Sequence, residues 1–383
     1  MGKWAATVMG LFWALFSCHA LAFPFEPFPS EADVFSPANG SDLAPRHLFK
    51  RAPRYPRVKY GSTCSAAQQE YIDTELDEVQ TMLSRSLQQL QTLRSVIRER
   101  QEPATWGIRE AEYTRLFNAW VSMMGTIQFN PTTERPLGAN DQPLSWRTTD
   151  RNIGSLMSIY RRIRRTLQDR TLAITIHCND EFWKWDKDLS TNEKRIYRDT
   201  RPVGEAAQPF MKLDEPGRLC HEGKGGNGWR MLNEVTQEDE ICICPVVFER
   251  TATSNTLSSL PNTKESLKSR HIDDIKRYYA AGTLLHEISH CSTILGADRT
   301  HDLKATIGPH SMPAYEKDRV SVLAASNPTL GCYRNADSVA YLALALYYSE
   351  CDWSKGRCAV GKEPFEYHKL IGDRRDYLRF IFS

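Results

Sequence analysis

Apolar residues recur at three- and four-residue steps between positions 65 and 101, at Ile72, Leu76, Val79, Leu83, Leu87, Leu90 and Ile97. That period predicts one long amphipathic helix from Ser65 to about Gln101, capped by Ser65 and stopped before Pro103. Further helices are predicted over Thr105 to Met124 and Ile153 to Leu167. The last carries Arg161, Arg162, Arg164 and Arg165 on its outer side, which reads as a solvated face ahead of a surface for an acidic partner. Thr171 to His177 alternates and is rich in β-branched residues, the pattern of a strand. A second strand is predicted at Glu240 to Phe248. Its Pro245 cannot donate to a ladder, so this strand is expected at a sheet edge or beside a groove. Arg201 to Asn233 and Thr251 to Thr263 read as loops, the former exposed. His271 to Leu295 reads as a helix, and Ala336 to Ser349 as a nearly apolar one.

The N-terminal pattern is different. Lys3 precedes an apolar run from Ala5 to Phe16, and Ala20-Leu21-Ala22 closes it, which reads as a signal peptide over residues 1–22. A spanning helix needs roughly twenty apolar residues, and this run is shorter. Residues 23–51 lack any period and end in Lys50-Arg51, so they read as a pro-segment closed by a dibasic processing site. They also hold the sequon Asn39-Gly40-Ser41. The domain proper is then expected over 52–383.

Composition narrows the class. In 383 residues, 41% are hydrophobic and 25% charged, enough for a sizeable core, and the formal charge is only +2. That balance points away from nucleic-acid and membrane-surface partners. Of ten cysteines, Cys18 leaves with the signal peptide, and the remaining nine predict several disulfides with one odd thiol. Cys242 and Cys244 are read as lying on opposite faces of their strand and so as unpaired with each other. Gly223 to Gly228 has GxGxxG spacing, but with no strand before it and no helix after it the dinucleotide reading is rejected.

The chemistry concentrates in His286-Glu287-Ile288-Ser289-His290. Histidines four apart on a helix share one face and can present two imidazoles to one ion. Glu287 is angled toward the same metal, where it can take a proton from a zinc-activated water and pass it to the leaving amine. Leu284, Leu285 and Ile288 mark the helix as buried, where two unliganded histidines would need other partners. Thr293 and Gly296 stand where a metzincin needs Gly and His, so that class is rejected. A thermolysin-type site needs a Glu as third ligand, and Glu316 and Glu350 are the candidates.

HEISH, the Thr300-His301-Asp302 segment, Ala314-Tyr315 and Asn335-Ala336-Asp337-Ser338 together resemble the aspzincins, the group of fungal deuterolysin and the peptidyl-Lys metalloendopeptidases. The likeness runs from about Thr63 to Tyr348, including a long helix after a cysteine and an ICP strand before the catalytic helix. It implies Asp302 as third zinc ligand, with Asp298 and His301 as alternatives. It implies Tyr315 as donor to the oxyanion. Asp337 is implied near the site, orienting a ligand histidine or lining a pocket for a basic side chain, and it also suits a helix N-cap. This sequence departs from the family pattern at Arg299, where the family has Gly, and at Ala305, where it has Tyr. Tyr315 then arrives only through an insertion of ten residues, and Glu316 replaces the Gly that follows.

The expectation is an α+β, zincin-like domain with a helical N-terminal layer and a small twisted sheet whose edge pairs with extended substrate. It would be a secreted, monomeric, zinc-dependent endopeptidase acting on proteins or peptides, with lysine favoured after the scissile bond. The alternative is a secreted binding or effector protein on the same scaffold without turnover.

Overall fold

Ser65 begins the long helix where the apolar period places it. Its hydroxyl accepts from the Gln68 N–H at 3.3 Å, and the Gln68 side chain accepts from Ser65 N–H at 2.9 Å. The structure is a computed structural model, and it describes residues 54–99, 105–128, 145–191, 194–202, 211–213, 219–220, 226–250, 255–307, 309–326 and 331–359. The chain divides into two units at Arg51–Ala52, and all described residues belong to the second. The leader, the dibasic pair, the sequon and Gly223 to Gly225 lie outside them.

The order opens with β1 (Val58–Tyr60), α1 (Ala66–Arg98), α2 (Glu110–Met124) and α3 (Trp146–Gln168). Strands come next: β2 (Ile174–His177), β3 (Trp183–Asp186), β4 (Arg195–Asp199), β5 (Met211–Leu213), β6 (Gly228–Leu232) and β7 (Asp239–Ile243). Short helices succeed them: α4 (Pro245–Arg250), α5 (Lys264–Leu267), α6 (Ile272–Tyr278), α7 (Ala280–Ser289) and α8 (Ser292–Leu295). The chain then forms β8 (Lys304–Ile307), β9 (His310–Pro313), α9 (Glu316–Ser326) and α10 (Ala336–Tyr347). Helix and sheet are mixed and segregated, an α+β arrangement. Among the described residues no helix is long and apolar enough to cross a membrane.

The predicted stripe of α1 is its buried side, from Ile72 to Ile97, and it packs on α3, α7 and α10. Every residue of α10 is buried, as an all-round apolar helix requires. The main sheet runs β1-β2-β7-β6, with β1, β2 and β7 parallel and β6 antiparallel at the end.

Three readings need correction. The strand expected over Glu240 to Phe248 ends at Ile243, and it lies inside the sheet between β2 and β6. Pro245 is instead the first residue of α4, where a helix has no use for its missing N–H. The outer strand is β6, which lies within the stretch read as loop. The helix expected over His271 to Leu295 is broken into α6, α7 and α8, with Tyr279 extended at φ −129° and ψ 126°. Its apolar period runs on across the breaks, so periodicity alone does not mark them.

Cys64–Cys178, Cys220–Cys244 and Cys351–Cys358 are disulfides, which suits an oxidising environment. Three thiols are free and buried, Cys242, Cys291 and Cys332, where one was expected. The facing of Cys242 and Cys244 is also corrected, because residues two apart on a strand share a face. Both sulfurs lie by Cys220, one bonded to it and the other at 3.6 Å.

Candidate metal centre

Helix α7 is held from both sides before any ligand is considered. Leu284, Leu285 and Ile288 are fully buried. At its start Tyr279 offers no side-chain cap, and α1 supplies one instead: Ala281 N–H donates to Glu75 Oε2 at 2.7 Å. Burial pushes the Glu75 carboxyl up to about 8, with Glu78 adding to the rise against the Ala281 hydrogen bond. At the other end α7 stops at Ser289, but His290 keeps right-handed backbone at φ −79° and ψ −15°. The four-residue spacing therefore still sets both rings on one face.

Each ring is oriented by its other nitrogen. His286 Nδ1 donates to Asp337 Oδ1 at 2.6 Å, and His290 Nδ1 donates to the Thr300 carbonyl at 3.0 Å. Both acceptors engage Nδ1–H, so Nε2 is the atom each ring can turn as a lone pair toward a metal ion. The two Nε2 atoms face each other at 3.2 Å, and Asp302 Oδ1 lies 3.5 Å from one and 3.3 Å from the other. So close an approach of two imidazole nitrogens and a carboxylate calls for a cation among them, a metal ion or a proton on Nε2. A tetrahedral zinc with bonds of about 2.0–2.1 Å spaces its ligand atoms by about 3.3–3.4 Å, so the observed triangle fits that ion. His286, His290 and Asp302 are thus a group able to hold a metal.

The ten-residue insertion explains how Asp302 and Tyr315 meet. It folds as the β8–β9 hairpin, with Lys304 opposite Pro313 and Ile307 opposite His310. At its base Ala314 N–H donates to Leu303 O at 2.7 Å, and Asn335 bridges the same two strands through its amide. Thirteen residues apart in sequence, Tyr315 and Asp302 come close enough for the phenol and the carboxylate to influence each other. The Tyr315 ring centroid lies 6.1 Å from that of His286, and 39% of the residue is exposed. Desolvation and the Asp302 charge hold its phenol well above the usual range. For Asp302, burial is outweighed by the His290 hydrogen bond and the charges of both imidazoles, and its carboxyl stays below the ordinary value.

Glu287 completes the cluster, with Oε1 3.9 Å from His286 Nε2 and only 3% of the residue exposed. Burial pushes its carboxyl upward against the two histidines, the direction that suits a general base. Strand β6 passes directly over it. A Cβ added at Gly228 would lie 2.8 Å from Cys242 O and 3.3 Å from Glu287 Oε1, so only glycine allows this approach.

Asp337 is 1% exposed and takes Lys276 Nζ and His286 Nδ1 on Oδ1, and the Glu316 N–H on Oδ2. Burial opposes its charge, but Lys276 and His286 hold it far below the carboxylate range. Of the other candidates, Asp298 is paired with Arg162 at 2.9 Å and His301 is exposed. Glu350 lines a separate pocket beside Arg115 and Cys351. Glu316 is exposed, with left-handed backbone at φ 67°, where the family resemblance puts glycine. Glu316→Gly is therefore expected to leave stability unchanged or raise it by up to ~1 kcal/mol, while Glu316→Val lowers it by ~1–3 kcal/mol. Urea unfolding reads both. A second cluster, Asp180, Cys220 and Cys242, lacks a thiolate at Cys220 because that sulfur is bonded to Cys244.

Sequence reasoning missed Lys276, Thr300, Gly228 and the clamp role of Asn335. Thr300 and Asn335 had a signal, as parts of the quoted Thr300-His301-Asp302 and NADS segments; the others act by position alone. Compared with protein-family models, with curated proteins and with solved structures, the chain finds no match.

Proposed function

We propose that the chain is a zinc-dependent endopeptidase of zincin-like build, exported and acting on extended protein or peptide substrates. The observation that carries this reading is the triangle of two imidazole nitrogens and one carboxylate oxygen at 3.2 to 3.5 Å, with a buried carboxylate alongside. His286, His290 and Asp302 would hold the ion. Zinc, when bound, supplies Lewis acidity toward a water and a scissile carbonyl. Glu287 takes the proton that the attacking water gives up and hands it to the leaving amine. Tyr315 donates its O–H to the oxyanion, since its partly exposed ring lies 6.1 Å from that of His286. Asp337 and the Thr300 carbonyl keep both histidines in the tautomer with Nε2 free.

The outer strand β6 supports the substrate class. It ends the sheet among the described residues, and a Cβ added at its first residue, Gly228, would lie 3.3 Å from Glu287 Oε1. A substrate backbone added to that edge by strand addition would run past the base, its side chains alternating between cleft and solvent. A preference for lysine has no such support. Asp337, the carboxylate suggested for it, is already spent on Lys276, His286 and a backbone N–H.

The test is zinc stoichiometry on the purified protein, with cleavage of an unstructured protein assayed with and without chelator. One zinc per chain and chelator-sensitive cleavage are expected. A chain that retains no zinc would return HEISH to the core and end this reading.

A further inference from the structure

Lys276 approaches the metal centre along a prepared path. It leaves α6 and crosses α7 at Gly282, where an added Cβ would lie 3.1 Å from Lys276 Cγ and 3.6 Å from its Cα. Its Nζ sits 5.0 Å from the centroid of the Tyr341 ring and donates to Asp337 Oδ1 at 2.5 Å. The side chain is only 15% exposed. The same oxygen, Oδ1, receives His286 Nδ1 at 2.6 Å. Two donors therefore converge on one atom of a carboxylate whose other oxygen has the longer 3.2 Å contact from Glu316 N–H.

We infer that Lys276 is a positioning residue of the metal centre: its ammonium pins the Asp337 oxygen that aligns His286, and so governs how Nε2 is presented to zinc. The inference rests on the metallopeptidase reading. Without the ammonium, Asp337 Oδ1 keeps a single donor and the carboxylate is free to turn toward the Glu316 N–H. His286 then loses its fixed tilt. Outer partners of this kind carry ~10- to 100-fold in metal affinity. Lys276→Met vacates only the place of Nζ, between the Tyr341 ring and the Asp337 carboxylate, which an ammonium ion can take.

The experiment measures zinc affinity of the full chain by competition with a chromophoric chelator, and the visible spectrum of the cobalt-substituted protein. Lys276→Met is expected to keep its far-UV circular dichroism, to bind zinc ~10- to 100-fold more weakly and to show an altered cobalt spectrum. Added ammonium ion should restore part of both. In an Asp337→Asn background the same change should cost nothing further, because its effect passes through Asp337. Zinc affinity of Lys276→Met within about twofold of wild type would overturn the inference, as would a full further loss in the Asp337→Asn background. If Lys276→Met does not fold, Lys276→Leu, which also lacks a donor, is put through the same assays with the same overturning result. A wild-type chain that binds no zinc removes the metallopeptidase reading and this inference with it. A wild-type chain that binds zinc beside an unaffected Lys276→Met removes this inference alone.

Discussion

Replacing Glu287 by Gln is expected to lower peptide hydrolysis by roughly 10²- to 10⁴-fold while zinc stays bound. The amide keeps the shape of the side chain, and the three ligand atoms are not touched. What it loses is the ability to accept a proton. Glu287 is 3% exposed, and among the described residues the other carboxylates beside His286 are Asp302, the proposed ligand, and the already occupied Asp337. Neither is placed to take over. The measurement is kcat/KM on a fluorogenic peptide beside zinc content of the same sample. Cleavage undiminished in Glu287→Gln would point to a scaffold whose effect does not depend on turnover. Asp302→Ala should act differently, releasing zinc and activity together, whereas Glu316→Ala should keep both, since its carboxylate is outside the cluster.

The second large effect lies at Glu75, which caps the start of α7. Its carboxyl is fully buried and titrates near 8 in the folded chain against 4.5 when exposed. Below pH 4.5 both folded and unfolded chains hold the proton, and nothing is lost. Between 4.5 and about 8 the unfolded chain releases the proton and the folded chain keeps it, so stability falls as pH rises. Above 8 the loss is complete, on the order of 5 kcal/mol. Glu75→Gln keeps an acceptor for the Ala281 N–H but cannot ionise. Wild type and variant should therefore diverge between about pH 5 and pH 8.5 in urea unfolding, with wild type losing ground by several kcal/mol. Parallel stability curves would show that Glu75 stays ionised inside the protein, held there by α7.

Much of this is legible in the chain, for identifiable reasons. The first helix announces itself through a Ser cap and a stripe of seven apolar positions, both local signals. The histidine pair is legible because helical spacing alone puts residues four apart on one face. The breaks at Tyr279 and after Ser289 are not, because the apolar period carries on through them. Pro245 misleads because the same residue can end a strand or start a helix. Strand β6 is hidden in a Gly-rich polar stretch, since an outer strand over a cleft needs close backbone approach more than apolar side chains. Lys276 looks like any charged residue on a helix. Only Gly282 beneath it and Asp337 beyond it give it a place at the metal centre, and neither relation is written in its local sequence.

The β8–β9 hairpin frees sequence distance from spatial distance. Asp302 and Tyr315 are fastened at its base by the Leu303–Ala314 hydrogen bond and the Asn335 amide, so the arm beyond that clamp has no fixed length. Adding or removing residues in facing pairs would lengthen or trim the arm and leave ligand and phenol in place. A single-residue change would slip the pairing and turn every side chain on one strand to the other face. Relatives of this protein should therefore tolerate very different spacings between the two residues, provided the difference is even. A search for them by motif should let that gap float and hold Asn335 and Asp337 fixed.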